Sequence, residues 1–206
     1  MYIPGVFEEK DKKRILSFVR ENAFATLVTS YKGVPFATHL PLLIEDGEQQ
    51  VIVGHMAKAN EQWQHFSGDQ QVLAIFQGPH AYISPSNYEK KTAPTWNYAA
   101  VHMCGRPRLI DDEQQLRDIV ESLSNKYEMT QSTPWVPEYP DALLNAIVGF
   151  EITIEKVEAK FKLSQNRPEG DRKRIIDTLS SSSKDDELGV ARLMQENELR
   201  NPRNFD

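Results

Sequence analysis

A chain of 206 residues with 39% hydrophobic and 26% charged side chains can bury a proper core, either as one large domain or as one domain with a helical appendage. Its 24 basic and 30 acidic residues leave a net charge of −6, which argues against a dedicated nucleic-acid-binding domain because phosphate neutralisation supplies most of such affinity. A single cysteine, Cys104, excludes an intrachain disulfide and fits a reducing compartment. Met1-Tyr-Ile-Pro-Gly5 lacks a basic n-region and an apolar h-region, and no apolar run approaches membrane-spanning length. The expected location is the cytoplasm, with no membrane partner.

Residues 8–22 read as a helix, with Ile15, Leu16 and Val19 on one side and Glu8, Glu9, Lys12, Lys13 and Arg20 solvated. A strand is predicted over 23–30, a turn over 31–35 and a second strand over 36–44. Pro41 cannot donate a ladder hydrogen bond, so it marks an edge, a bulge or a barrel rim. Asp46-Gly47 signals a hairpin leading into a strand over 51–54. A short helix over 57–66 should turn Trp63 and Phe66 inward. Strands follow over 71–77, 80–84 and 97–110, the first two separated by Gly78-Pro79. Asp111-Asp-Glu-Gln114 opens a helix carrying the stripe Leu116, Ile119, Val120, Leu123 and Tyr127. A short helix over 140–146 and a long strand or strand pair over 148–163 come next. Composition then shifts near Asn166, and helices are predicted through Ile175, Ile176 and Leu179 and over 188–199. A flexible Ser180–Ser183 break separates these two helices, and a frayed tail ends the chain. The reading is therefore a domain over 1–165 and a helical extension over 166–206.

Many short strands, few long crossovers and helices at the rim favour an antiparallel barrel. A Rossmann reading fails because no G-x-G-x-x-G follows a strand. The five histidines form no H-E-x-x-H and no Cys/His cluster, so no metal site is expected. No G-x-S-x-G is present for acyl transfer. Gly54-His-Met-Ala-Lys58 lies at an apparent strand-to-helix corner, where backbone N–H groups, Lys58 and His55 could meet an anion; a solvated first-turn lysine is the plainer reading. Thr95-Trp-Asn-Tyr98 puts an indole, a carboxamide, a phenol and a hydroxyl close together, as a planar polar ligand would require; aromatics anchoring a loop to the core are the alternative. Arg172-Lys-Arg174 is a basic triplet on the C-terminal helix, a solvated face or a modest positive patch in a dimer.

Gln77-Gly-Pro-His-Ala-Tyr-Ile-Ser-Pro-Ser86 followed by Pro94-Thr-Trp-Asn-Tyr98 resembles the PaiB family, described as FMN-binding negative transcriptional regulators. His39-Leu-Pro-Leu42, Gly54-His-Met-Ala-Lys-Ala-Asn60 and Lys160-Phe-Lys-Leu-Ser-Gln-Asn166 fit the same family, over a span reaching to about Asn197. The chain departs from the pattern at Asn87, where the family carries a tryptophan. The resemblance implies a mainly β (α+β) fold, an antiparallel Greek-key split β-barrel, forming homodimers with FMN at the interface. It implies that His55, Lys58 and Asn60 hold the phosphate end, with Met56 also among the cofactor-binding residues, that Thr38, His39 and Leu40 line the ring, and that Trp96, Asn97 and Tyr98 close the pocket. The implied role is repression of extracellular protease and sporulation genes. Other readings stay open: a flavin-dependent oxidoreductase of small substrates, a haem-binding or haem-degrading protein using His39, His55 or His80, and a cofactor-free DNA-binding repressor.

Overall fold

The computed structural model describes residues 1–47, 49–66, 70–90 and 92–200. Within them lie seven strands, β1 (Phe24–Tyr31), β2 (Val34–Pro41), β3 (Leu43–Glu45), β4 (Val51–Ala57), β5 (Val72–Ile83), β6 (Thr95–Ile110) and β7 (Ile147–Lys162). The helices are α1 (Lys12–Glu21), α2 (Glu113–Glu128), α3 (Asp141–Leu144), α4 (Glu169–Ser180) and α5 (Asp185–Arg200). The strands form one antiparallel sheet in the order β2-β1-β5-β6-β7-β4-β3, so the fold is mixed α+β with peripheral helices. The expected tail beyond residue 200 lies outside the described residues.

Local chemistry accounts for most boundaries. Asp11 Oδ1 accepts from the N–H of Lys13 at 2.9 Å, so α1 starts at residue 12 and not at 8. β1 and β2 meet flush at Tyr31↔Val34, joined by Lys32 and Gly33 at φ 51° and 81°. A two-residue loop with both residues left-handed matches the twist of a hairpin, which explains Gly33. β2 is the last strand on its side of the sheet, where Pro41 is tolerated. Asp112 caps α2 by accepting from Gln115 N at 2.7 Å.

Three expectations are corrected. Gly78-Pro79 does not interrupt β5, because a fixed φ near −65° suits extended chain and α5 packs on the ring. A Cβ on Gly189 would come within 2.7 Å of Pro79 Cβ. β4 does not stop at Gly54; it continues to Ala57, pairing His55 with Gly149 and Met56 with Val148. The helix expected over 57–66 is only a 3₁₀ segment, Glu61–His65, and its buried side chains are Gln62 and His65, not Trp63 and Phe66. Dipole arguments based on an α-helix therefore do not apply there.

The chain groups into two compact units that interleave in sequence. The central unit comprises Leu16–Phe76 and His102–Val157, with Leu27, Leu42, Ile52, Phe76, Phe150 and Ile152 in its core. The terminal unit comprises Met1–Ile15, Gln77–Val101 and the chain from Glu158 onward, and buries Ile83, Leu163, Ile175, Val190 and Met194. The helices after residue 166 thus share a unit with the ends of β5, β6 and β7.

Candidate functional site

The central unit holds most of the residues singled out from sequence. β4 delivers His55 and Met56 in strand geometry, and the chain then turns through Lys58 and Ala59 into the 3₁₀ segment. Two bonds pin the backbone of Lys58: its N–H donates to Ala146 O at 2.9 Å, and its carbonyl accepts from Trp63 Nε1 at 3.0 Å. Its ammonium is left exposed. Asn60 closes the turn by donating from its N–H to Ala57 O (2.9 Å) and accepting from Gln62 N at Oδ1 (3.0 Å). Its Nδ2 donates to Thr38 Oγ1 at 2.9 Å, which brings together two predicted residues far apart in sequence.

On β2, Thr38 is half-buried, His39 is exposed and stacks on Phe24 at 6.5 Å, and Leu40 points into the core. Met56 is likewise buried, so Leu40 and Met56 can offer a ligand only backbone. The outer row of backbone groups on this terminal strand has no neighbouring strand among the described residues. Gly54 serves packing and not a turn, since a Cβ there would lie 2.7 Å from Leu42 Cδ2 and 3.0 Å from Phe150 Cζ.

His55 is the unusual group. Burial holds its pKa below the ordinary histidine value, so the ring is neutral at pH 7, and its buried Nδ1 meets no hydrogen-bond partner among the described residues. A neutral imidazole with an unused ring nitrogen is the kind of orphan that a polar ligand satisfies.

Sequence reasoning missed the polar cluster beneath this turn. Gln62, fully buried, donates from Nε2 to Leu27 O at 2.9 Å, while its Oε1 has no partner among the described residues. His65 Nδ1 pairs with Thr29 Oγ1 at 2.9 Å and stacks under Tyr31 at 4.7 Å. The only signal was a helical register that failed to place apolar residues inward. A cleft of about 460 Å³ opens beside Lys58 and Trp63, floored by Ile147, Val148 and Gly149. Asp111, Asp112 and Glu113 form its acidic wall, although Asp112 is engaged in capping and Glu113 lies 3.8 Å from Arg117. The corner at 54–60 is therefore open on one side.

Trp96, Asn97 and Tyr98 belong to the terminal unit. Asn97 is fully buried, its Nδ2 donating to Ser164 Oγ at 2.9 Å, so its carboxamide serves the core. Trp96 is 53% exposed and Tyr98 half-buried. Asn87, at the departure from the family pattern, is tied to α4 by Arg174 Nε and Thr178 Oγ1. Among the described residues there is no metal-binding cluster of His, Cys, Asp or Glu, and no helix long and apolar enough to cross a membrane.

The profile of the family described as "Putative FMN-binding domain" matches residues 1–156. The protease synthase and sporulation protein PAI 2 of Bacillus subtilis (strain 168) is 40% identical over 202 residues, covering 95% of this chain and 97% of that protein. The flavocytochrome Anf3 from Azotobacter vinelandii superposes with a TM-score of 0.61 at 14% identity, over 75% of this chain and 69% of that one. The FAD and heme binding protein from Mycobacterium smegmatis gives 0.60 at 12% identity, over 75% and 73%. Such distant structures establish the fold, and the expected antiparallel split-barrel class stands.

Proposed function

The chain belongs to the PaiB family of FMN-binding-domain proteins, and on that premise we propose that it binds FMN and acts as a negative regulator of protease synthesis and sporulation. One observation carries the cofactor assignment: Lys58 presents an exposed ammonium from a turn whose backbone is fixed at N–H and carbonyl alike, close in sequence to the unpartnered buried nitrogen of His55. A cation carried on a backbone already fixed suits a phosphate dianion, because only the rotamer freedom of the lysine side chain is left to be lost on binding. Asn60 and Thr38 brace the turn, and the unpaired edge of β2 around His39 and Leu40 offers N–H and C=O groups to the polar rim of a flat ring. When bound, FMN supplies hydride and electron transfer. The chain's own contribution is to hold the phosphate, keep His55 neutral and orient the ring.

The exposed apolar side chains of the β1–β2 hairpin (Phe24, Tyr31, Val34, Phe36) support a homodimer as part of this reading. The regulatory role follows the name of the Bacillus relative. The net charge of −6 favours control through a partner or a signal over extensive phosphate contact with DNA. The test is a visible spectrum of the purified protein with a flavin-fluorescence titration of wild type and Lys58→Ala. A yellow protein whose affinity falls about tenfold or more in the variant is expected. A colourless protein that does not take up FMN removes the cofactor assignment, and unchanged affinity in the variant moves the phosphate away from Lys58.

A further inference from the structure

The terminal unit holds a cavity of about 400 Å³ whose wall includes Val6, Phe7, Glu9, Phe161, Gln165 and Asn197. Three of these wall residues also grip one arginine. Arg14 is 8% exposed, and its guanidinium lies 4.6 Å over the ring of Phe161. Its Nη1 donates to Glu9 Oε2 at 2.8 Å and to Asn197 Oδ1 at 3.2 Å. Its Nε and Nη2 are buried and meet no hydrogen-bond partner among the described residues. The charge of Arg14 is therefore matched by Glu9, while two of its three nitrogens are unused.

Those two nitrogens are not an arbitrary pair. In a guanidinium, Nε–H and one Nη2–H run side by side along one edge, spaced to meet both oxygens of a carboxylate. Burying such an edge without acceptors is costly, and an apolar side chain of similar length would serve packing better. The Phe161 ring and the two oxygens at Nη1 fix the plane of the fork before a ligand arrives, which lowers the ordering cost of binding. Nearby carboxylates are already engaged. Glu9 Oε1 accepts from the N–H groups of Lys10 (2.9 Å) and Asp11 (2.8 Å), Glu8 pairs with Lys10 at 3.1 Å, and Asp11 pairs with Arg200. Val6, Phe7 and Phe161 add an apolar stretch to the cavity wall.

We propose that this cavity binds a small carboxylic acid with an apolar body, its carboxylate received side-on by Nε and Nη2 of Arg14 and its body lying against Val6 and Phe161. Because both nitrogens are closed to water, the acid displaces a side chain of the wall as it enters. The site is additional to the FMN assigned through Lys58, and all its residues belong to the terminal unit. Benzoate is the probe, with benzamide as its uncharged counterpart of the same shape and acetate as the head without the body. Each is titrated calorimetrically into the full chain with and without saturating FMN. Benzoate should bind saturably and about tenfold or more tighter than either control, in both conditions. Arg14→Lys keeps the charge but offers no fork, and should weaken benzoate about tenfold or more. Arg14 also ties Glu9 to Asn197, so a second variant, Val6→Trp, leaves those bonds intact; Val6 is 51% exposed, and an indole there takes up part of the cavity. Val6→Trp should weaken benzoate to a similar degree while melting with wild type, and FMN affinity should be unchanged in both variants. No saturable benzoate binding, benzamide as tight as benzoate, or either variant as tight as wild type overturns the proposal. So does competition between benzoate and FMN together with weakened FMN in Arg14→Lys, which would give Arg14 to the flavin. Because the Lys58→Ala titration reads FMN alone, either site can fail without the other.

Discussion

Removing the side chain of Asn60 tests whether the Lys58 turn is braced as the hydrogen bonds indicate. Asn60→Ala deletes the cap on Gln62 N (3.0 Å) and the bond to Thr38 Oγ1 (2.9 Å). A lost cap costs about 1 kcal/mol and a lost part-buried hydrogen bond about 1 kcal/mol, roughly 2 kcal/mol together. For a chain of this size that lowers the thermal midpoint by about 4–8 °C. Thr38→Val removes only the shared bond and should lower it by about half as much. In the Asn60→Ala background, Thr38→Val should cost almost nothing, giving a coupling of about 1 kcal/mol. Circular-dichroism melts of the four proteins measure the cycle, and flavin-fluorescence titration of the same samples should show FMN weakened in Asn60→Ala. Strictly additive melts, or an Asn60→Ala protein that melts with wild type, would refute a braced turn.

Gly105→Ala should lower stability by about 3 kcal/mol or more, because the new Cβ would fall 2.1 Å from Thr153 O, a backbone atom that cannot step aside; a wild-type melting curve would contradict this. His55 stays neutral when folded while the unfolded chain takes up a proton, so its contribution is complete above about pH 6.5 and is lost as pH falls through that value toward the depressed folded pKa. Urea titrations from pH 7.5 to 5.5 should show a loss of stability that His55→Gln abolishes; equal pH dependence in both proteins assigns the loss elsewhere. Arg172→Met should cost about 2 kcal/mol, since it removes a two-pronged charged pair between a buried guanidinium and the partly exposed Glu198 (2.5 and 2.9 Å). Lys173→Met breaks only a surface pair with Glu169 and should stay within about 1 kcal/mol of wild type in the same assay.

Elements whose side-chain period is set by one buried face were legible in the residue spacing. The α2 stripe buries Ile119, Val120 and Leu123 as its 3.6-residue spacing requires, and the alternation of Phe150 and Ile152 places both in the core on β7. The family motifs likewise pointed to residues 38–40 and 54–60. What misled was local chemistry that a distant neighbour overrides. Gly54-His-Met-Ala57 has few β-formers, yet its pairing with Ile147–Phe150 keeps it a strand. Pro79 looks like a breaker until α5 is seen packed on it.

By itself the order of residues decided the class of fold, the strongly periodic elements and the family, because these depend on spacing along the chain. Tertiary structure alone decided that Asn60 reaches Thr38, that Trp63 locks the carbonyl of Lys58, and that Lys160 is buried without a carboxylate partner among the described residues. Each depends on which strand edge faces which turn across tens of residues, and a hydrogen bond or an uncompensated charge exists only once those groups share a few ångströms and water has left.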